Sequence, residues 1–353
     1  MKILVIIPKP ITGVEYHRLL MPFDNLGEGY EVTSVEAIDH QPDSFIQQYD
    51  LIYTSSVISK FGHQEVLWEQ LKRLGIPVII DRDDDWMLPH DHLMKRDWVK
   101  NKTAEQIVYN FKMAAAVTVP TEYLAQKVRQ FNHNVFVIPN AIDFNQAQFK
   151  PDQKVKDLKT DKVHIGWSGS VTHFQDVMML TDTFMQLNSN PDTSKKYRVV
   201  LSGFTEGQQV WEEYQKIFTS GYKIAEDQYC RINGMDVYTY ASAYDLMDVG
   251  LIPLKDTEFN RCKSELKMME MGAKKLPVVV SNQYPYTNIA KHGINCLTAN
   301  KKDWFKNIKR LIDSKELREE LGEALYEEIF TNFNILKINE LRKEVFNYVT
   351  RKK

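Results

Sequence analysis

Cysteine is scarce in this chain: Cys230, Cys262 and Cys296 stand far apart among 353 residues. None belongs to a Cys-x-x-Cys pair, which excludes a disulfide framework and a zinc module and predicts a reducing, cytoplasmic setting. Long apolar runs are lacking too. The opening run from Ile3 to Ile7 meets Pro8 at once, too short for a signal-peptide core or a membrane span, and reads as a first buried strand. Net charge is nearly absent, with 45 Lys plus Arg against 47 Asp plus Glu, so the chain neither coats polyanions nor carries an acidic tail. There is no tandem repeat and no low-complexity tract, which excludes a solenoid and a disordered linker protein.

What is present is alternation. Short apolar runs at 2–7, 30–35, 51–54, 78–81, 116–119 and 135–138 read as strands. Helical patterns fall at 16–26, 64–74, 103–115 and 122–130. Repeated βα units imply a parallel, doubly wound sheet with its ligand site at the carboxyl ends of the strands. The pattern restarts at 163–167 and continues through 198–202, a Tyr-rich helix, 248–254 and 277–280, before long helices at 317–330 and 335–349. A single core seldom grows to this length, so two domains are expected. The polar run 148–162 reads as a linker.

The segment 259–281 joins a polar loop, a helix and a strand. Ser264 is placed to cap a helix over 265–274, and Pro277-Val278-Val279-Val280 has the β-branched run of a buried parallel strand. A loop feeding a helix N-terminus holds anions well. Lys263 stands before that helix and Lys267 one turn on; the alternative is a solvated helix face complementing the dipole. Gly166-Trp167-Ser168-Gly169-Ser170-Val171-Thr172-His173 follows a strand, and its small residues allow a diphosphate close to backbone N–H groups. Asp176 either orients His173 or caps the helix. In the first half, Gly13, Tyr16 and Arg18 occupy the corresponding loop, with Arg18 shaped for phosphate and an exposed surface helix as the alternative.

Asp81-Arg82-Asp83-Asp84-Asp85 invites a metal reading. Set against it is helix capping with local pairing to Arg82. Around Trp98, the basic residues Lys95, Arg96, Lys100 and Lys102 form either a solvated loop or a contact for an anionic lipid or nucleic-acid acceptor.

Several of these elements resemble the GT-B glycosyltransferases of family 4 (glycosyl transferases group 1), including bacterial and phage-encoded members. Glu270 precedes Met271-Gly272-Ala273 and Pro277-Val278, as the donor-binding acid does in that family. Asp248-Val249-Gly250-Leu251-Ile252-Pro253 resembles its Ala-Asp-Val-Gly element, and Pro139-Asn140-Ala141-Ile142-Asp143 its interdomain hinge. Gly13-Val14-Glu15-Tyr16-His17-Arg18 resembles an opening motif of bacterial and phage members. The chain departs from the pattern at Cys262, where a second Glu is usual, and in having only His173 where relatives carry an Arg and a Lys.

The resemblance implies two Rossmann-like domains facing each other across a cleft. Residues 1–150 would form the acceptor side, 151–334 the donor side, and 335–353 would pack back on the first. It implies a retaining transfer of a sugar from a nucleotide-diphosphate donor, UDP- or GDP-linked, to a hydroxyl of a glycan, a glycolipid or a hydroxylated DNA base. No cofactor or metal is expected, and membrane contact would be peripheral. Glu270 would grip the donor ribose with Lys267, Ser264, Gly169, Ser170 and His173 nearby. Lys263, Asp83 and Asp84 would be catalytic, and Gly13, Tyr16 and Arg18 would hold phosphate or acceptor. Two rivals share the fold: a nucleotide-sugar epimerase, which needs no acceptor, and a binding protein with a decayed site.

Overall fold

The computed structural model describes residues 1–55, 58–59, 62–156, 160–221 and 228–351. They form two compact units. The first comprises Met1–Ala141, Arg261–Ser264 and the segment starting at Ile335; the second comprises Ile142–Asn260 and Glu265–Asn334. The division therefore falls within 139–143 rather than at 150, and it returns the short stretch around Lys263 to the first unit.

The first unit is built on β1 (Lys2–Ile6), β2 (Glu31–Val35), β3 (Leu51–Ser55), β4 (Val78–Asp81), β5 (Ala116–Val119) and β6 (Val135–Val137), in the order β2-β1-β3-β4-β5-β6. Every pairing is parallel, with Ile52 opposite Val78 and Ile79 opposite Ala116. The inner strands are buried along their whole length, which is why they read as unbroken β-branched runs instead of alternating ones. Leu4, Ile52, Trp68, Ile80 and Phe111 belong to one core cluster. The helix Ile335–Thr350 completes this unit: Asn339 Nδ2 donates to the carbonyls of Pro22 and Asn25, Tyr348 donates to Asn134, and Phe346 packs against Phe23 and Tyr53.

The second unit repeats the plan with β7 (Val163–Ser168), β8 (Tyr197–Phe204), β9 (Tyr229–Asn233), β10 (Val249–Ile252), β11 (Val278–Ser281) and β12 (Leu297–Ala299), in the order β12-β11-β10-β7-β8-β9. All of these pairings are parallel too. The strand order reverses between β7 and β10, so the carboxyl ends of those two strands flank the crevice where such sheets bind ligands. The helix Leu266–Ala273 packs closely on the helix Lys315–Asn332: a Cβ at Gly272 would lie 2.8 Å from Leu325 Cγ. Small residues at that helix end therefore serve helix packing.

The structure adds elements that the sequence pattern missed: β9, β12 and the helices Thr181–Ser189, Val210–Thr219 and Trp304–Asp313. β9 is a half-exposed edge strand and β12 has three residues, so neither has an apolar run to announce it. The first helix begins earlier, at Gly13, and its Tyr16–Leu20 stretch is wound as a π turn. The linker expected at 148–162 is corrected at its front: Gln148 is buried, donates to Val237 O and accepts from Ala241 N. Residues 157–159 of that stretch lie outside the described residues.

Candidate functional site

In the first unit, Arg18 is not placed to receive a phosphate. It is fully buried. Its Nε and Nη2 donate to the two oxygens of Asp81 at 2.9 and 2.8 Å, and Nη1 donates to Ile138 O and Asn140 Oδ1. The fork that suits phosphate suits a carboxylate equally well, and the end of β4 supplies one. Burial works to raise Asp81, but the charge and hydrogen bonds of Arg18, with Thr118 and Tyr53, outweigh it and hold the carboxyl below its ordinary range. Tyr16 is core. Gly13 is exposed, and a Cβ there would meet nothing within 4 Å, so that position imposes no close backbone approach.

Beyond β4 the carboxylates separate. Arg82 donates to the backbone carbonyls of Asp84 and Asp85, which ties the turn together. Asp85 accepts from Lys127 and from the Met87 amide, Asp84 lies 3.5 Å from Lys263, and Asp83 meets Asn140 Nδ2 at 3.4 Å. Burial, then the charge of Asp84, raises Asp83 above the ordinary carboxylate range. Among the described residues no group of three or more His, Cys, Asp or Glu side chains is placed to hold a metal.

Ser264 does not cap the following helix. It accepts from Asn140 Nδ2 at 2.8 Å, while Glu265 stands at the cap position without a side-chain capping bond. Cys262, where the family resemblance expects an acid, is buried with Sγ 3.6 Å from Asp85. Burial and then Asp85 push its thiol up to about 12, so it stays a neutral thiol and does not stand in for a carboxylate.

In the second unit, Glu270 projects from the helix Leu266–Ala273 into a buried polar setting. Tyr240 donates to Oε1 and Tyr244 donates to Oε2 at 2.7 Å. Lys267, one turn earlier, donates Nζ to Ser168 O at 2.8 Å, which places its ammonium at the carboxyl end of β7.

The loop after β7 is more committed than its glycines imply. The Gly169 N–H donates to Ser202 O, and so is not offered to a diphosphate. Gly169 is required for space: a Cβ there would lie 2.5 Å from the Trp167 ring, and one on Gly203 (φ +104°) would strike Gly169 O at 2.1 Å. Ser170 Oγ meets Thr172 Oγ1, and Ser170 O accepts from Tyr214. His173 Nδ1 lies 2.9 Å from Asp176 Oδ2, and Asp176 Oδ1 accepts from the Lys255 amide and Asn260 Nδ2. Asp176 therefore orients His173. Because a carboxylate only accepts, the shared proton sits on Nδ1.

No protein-family model and no curated protein sequence matches the chain. Solved structures do match over nearly its whole length. HepE from Anabaena, in complex with UDP and glucose, covers 98% of this chain and 99% of its own at 14% identity and a TM-score of 0.71. Sucrose-phosphate synthase from Thermosynechococcus elongatus covers 100% and 99% at 13% identity and TM-score 0.71. A glycosyltransferase from Rickettsia africae covers 100% and 99% at 11% identity and TM-score 0.68.

The fold is GT-B. In this GT-B chain the sequence reading missed Tyr240 and Tyr244, whose spacing of four in a Tyr-rich run was the available signal, and it missed Asn140 and Glu265. Glu265 is buried and accepts from Asn288 Nδ2. Burial, opposed by the Asn288 bond, lifts its carboxyl from 4.5 to about 7. Its folded-state pKa is raised, so the folded protein holds the proton more tightly than the unfolded chain does. Stability therefore falls as pH climbs from about 4.5 to about 7, and the full cost is present above that. Glu265→Gln keeps the acceptor for Asn288. It is expected to stabilise the protein by about 3 kcal/mol at about pH 8 and to change little at about pH 4. Thermal melting at the two pH values checks this, and equal shifts at both would contradict it.

Proposed function

We propose that this chain is a retaining glycosyltransferase that moves a sugar from a nucleotide-diphosphate donor to an acceptor hydroxyl without a divalent metal. The observation that carries the reading is Glu270: a buried carboxylate held by two tyrosine hydroxyls, in a fold shared with a protein solved in complex with UDP and glucose. In this reading the donor is a UDP-sugar. The ribose hydroxyls bond to Glu270, whose plane Tyr240 and Tyr244 fix. His173, in the loop after β7, and Lys267, whose Nζ reaches the carboxyl end of β7, meet the diphosphate.

Asp83 acts on the sugar or acceptor, with Asp84 beside it. Lys263 neutralises charge that grows on the leaving diphosphate, a role strongest in the transition state. The acceptor is a hydroxyl of a glycan, a glycolipid or a hydroxylated DNA base.

Glu270→Gln preserves shape and removes the charge that strengthens the ribose bonds. Its expected effect on UDP affinity is a loss of about 1–3 kcal/mol, roughly fivefold to 150-fold. Calorimetry with UDP measures this, and unchanged affinity would remove the assignment. Transfer itself is tested by screening UDP- and GDP-sugars for nucleoside diphosphate release. Release that depends on an added acceptor supports the reading, whereas conversion of the nucleotide sugar alone would favour an epimerase.

A further inference from the structure

Tyr286 has none of the roles assigned above. It opens the short helical turn Tyr286–Asn288, in the loop after β11 of the second unit. That loop is pinned on two sides. Gln283 Nε2 donates to Leu254 O, beyond β10, and Asn288 Nδ2 donates to Glu265, at the head of the helix that carries Glu270. The turn therefore stands at the carboxyl ends of β10 and β11, and Tyr286 is only 5% exposed. Its hydroxyl nonetheless bonds to no described residue and is not sealed from solvent. A buried phenol ordinarily finds a partner inside the protein. This one reaches solvent with its proton uncommitted.

The surroundings say what that proton is for. Burial, and then the charges of Asp176, Glu265 and Glu270, keep the phenol protonated. Each of those carboxylates already accepts from a neighbour: Asp176 from Asn260 and the Lys255 amide, Glu265 from Asn288, Glu270 from Tyr240 and Tyr244. Tyr286 thus shares its surroundings with Asp176, which orients His173 toward the diphosphate, and with Glu270, which holds the ribose. On that donor-site reading, we propose that Tyr286 donates its hydroxyl hydrogen to a phosphate oxygen of the bound nucleoside diphosphate. A phosphate oxygen accepts without bringing a hydrogen of its own, which is what a leftover donor needs. A sugar hydroxyl fits less well, since it brings a hydrogen that the neighbouring carboxylates would take in preference to the phenol. Lys267, whose Nζ reaches Ser168 O at the carboxyl end of β7, offsets the carboxylates that would otherwise repel the phosphates. The neutral phenol then adds a directed bond without a further charge.

Tyr286→Phe removes one oxygen and keeps the buried ring. Calorimetry of the full chain with UDP, or with GDP if that is the nucleotide it binds, should show affinity about tenfold to 150-fold weaker, the range for a hydrogen bond to a charged group. The melting temperature should stay in place. At saturating nucleotide, a phosphorus NMR resonance of the bound diphosphate should shift between wild type and variant, while the proton resonances of the base do not. Unchanged affinity, unchanged phosphorus resonances, or shifts confined to the base would overturn the proposal. A fall in melting temperature that accompanies the loss of affinity would also overturn it, by making Tyr286 a structural residue. Loss of affinity in Glu270→Gln but not in Tyr286→Phe would leave the donor site standing and remove Tyr286 alone. A wild-type chain that binds neither UDP nor GDP would remove the donor-site reading and this proposal with it.

Discussion

Asp83→Asn lowers the rate of sugar transfer by about 10²- to 10⁴-fold, the range of a positioned acid or base, and leaves UDP affinity close to wild type. The expectation rests on placement. Asp83 lies two residues past β4, at a strand carboxyl end. Its hydrogen bond from Asn140 is long, at 3.4 Å, and burial with the charge of Asp84 raises its pKa. A group held above the ordinary carboxylate range exchanges protons nearer neutral pH than a salt-bridged one. Steady-state kinetics set beside calorimetry decide the point: near-normal turnover would make Asp83 a structural residue, and a loss of UDP affinity equal to the loss of rate would make it a binding one.

A large loss of stability is expected from Asp81→Asn, about 3–5 kcal/mol, because it strands the buried Arg18 guanidinium without its counter-charge. Replacing both partners, Arg18→Met with Asp81→Leu, should recover much of that. The hydroxyls of Tyr53 and Thr118 already lie 2.8 Å apart and can satisfy one another. Hydrogen exchange at the amides of β1 and β4 isolates the first unit from the second, and an additive loss in the double variant would count against the pair. The pH sense follows from the lowered pKa of Asp81. Its contribution is complete above the unfolded carboxyl pKa of about 3.9 and is lost as pH falls through the lower folded value. The first unit should therefore resist mild acid, while Glu265 makes the second less stable as pH rises.

Both sheets were legible because their inner strands are buried on two faces and announce themselves as β-branched runs: Val78-Ile79-Ile80 and Val278-Val279-Val280 admit no other reading at that length. Edge strands such as β9 carry no such signal, since one side faces water and residue choice there is relaxed. The partners of the candidate site residues were not legible. Arg18 looked like an anion receptor because a guanidinium fork carries no mark of which carboxylate will occupy it, and Asp81 is 63 positions away in sequence. Ser264 looked like a cap because Ser before a helix usually is one, and its actual partner, Asn140, lies 124 positions upstream. The two tyrosines on Glu270 were hidden for the same reason: contacts across that sequence distance are set by the packed unit, which local pattern does not encode.

The first unit is assembled from chain that leaves it after Ala141, returns at Arg261–Ser264, and returns again at Ile335. During translation, residues emerge in order and domains ordinarily close as they appear. Here the ribosome has released β1 to β6 long before it delivers the helix that covers Phe23 and Tyr53 and satisfies the carbonyls of Pro22 and Asn25. The part of the protein that is synthesised first is the last to be finished, and for most of translation its unsealed flank is a surface on which a chaperone can act.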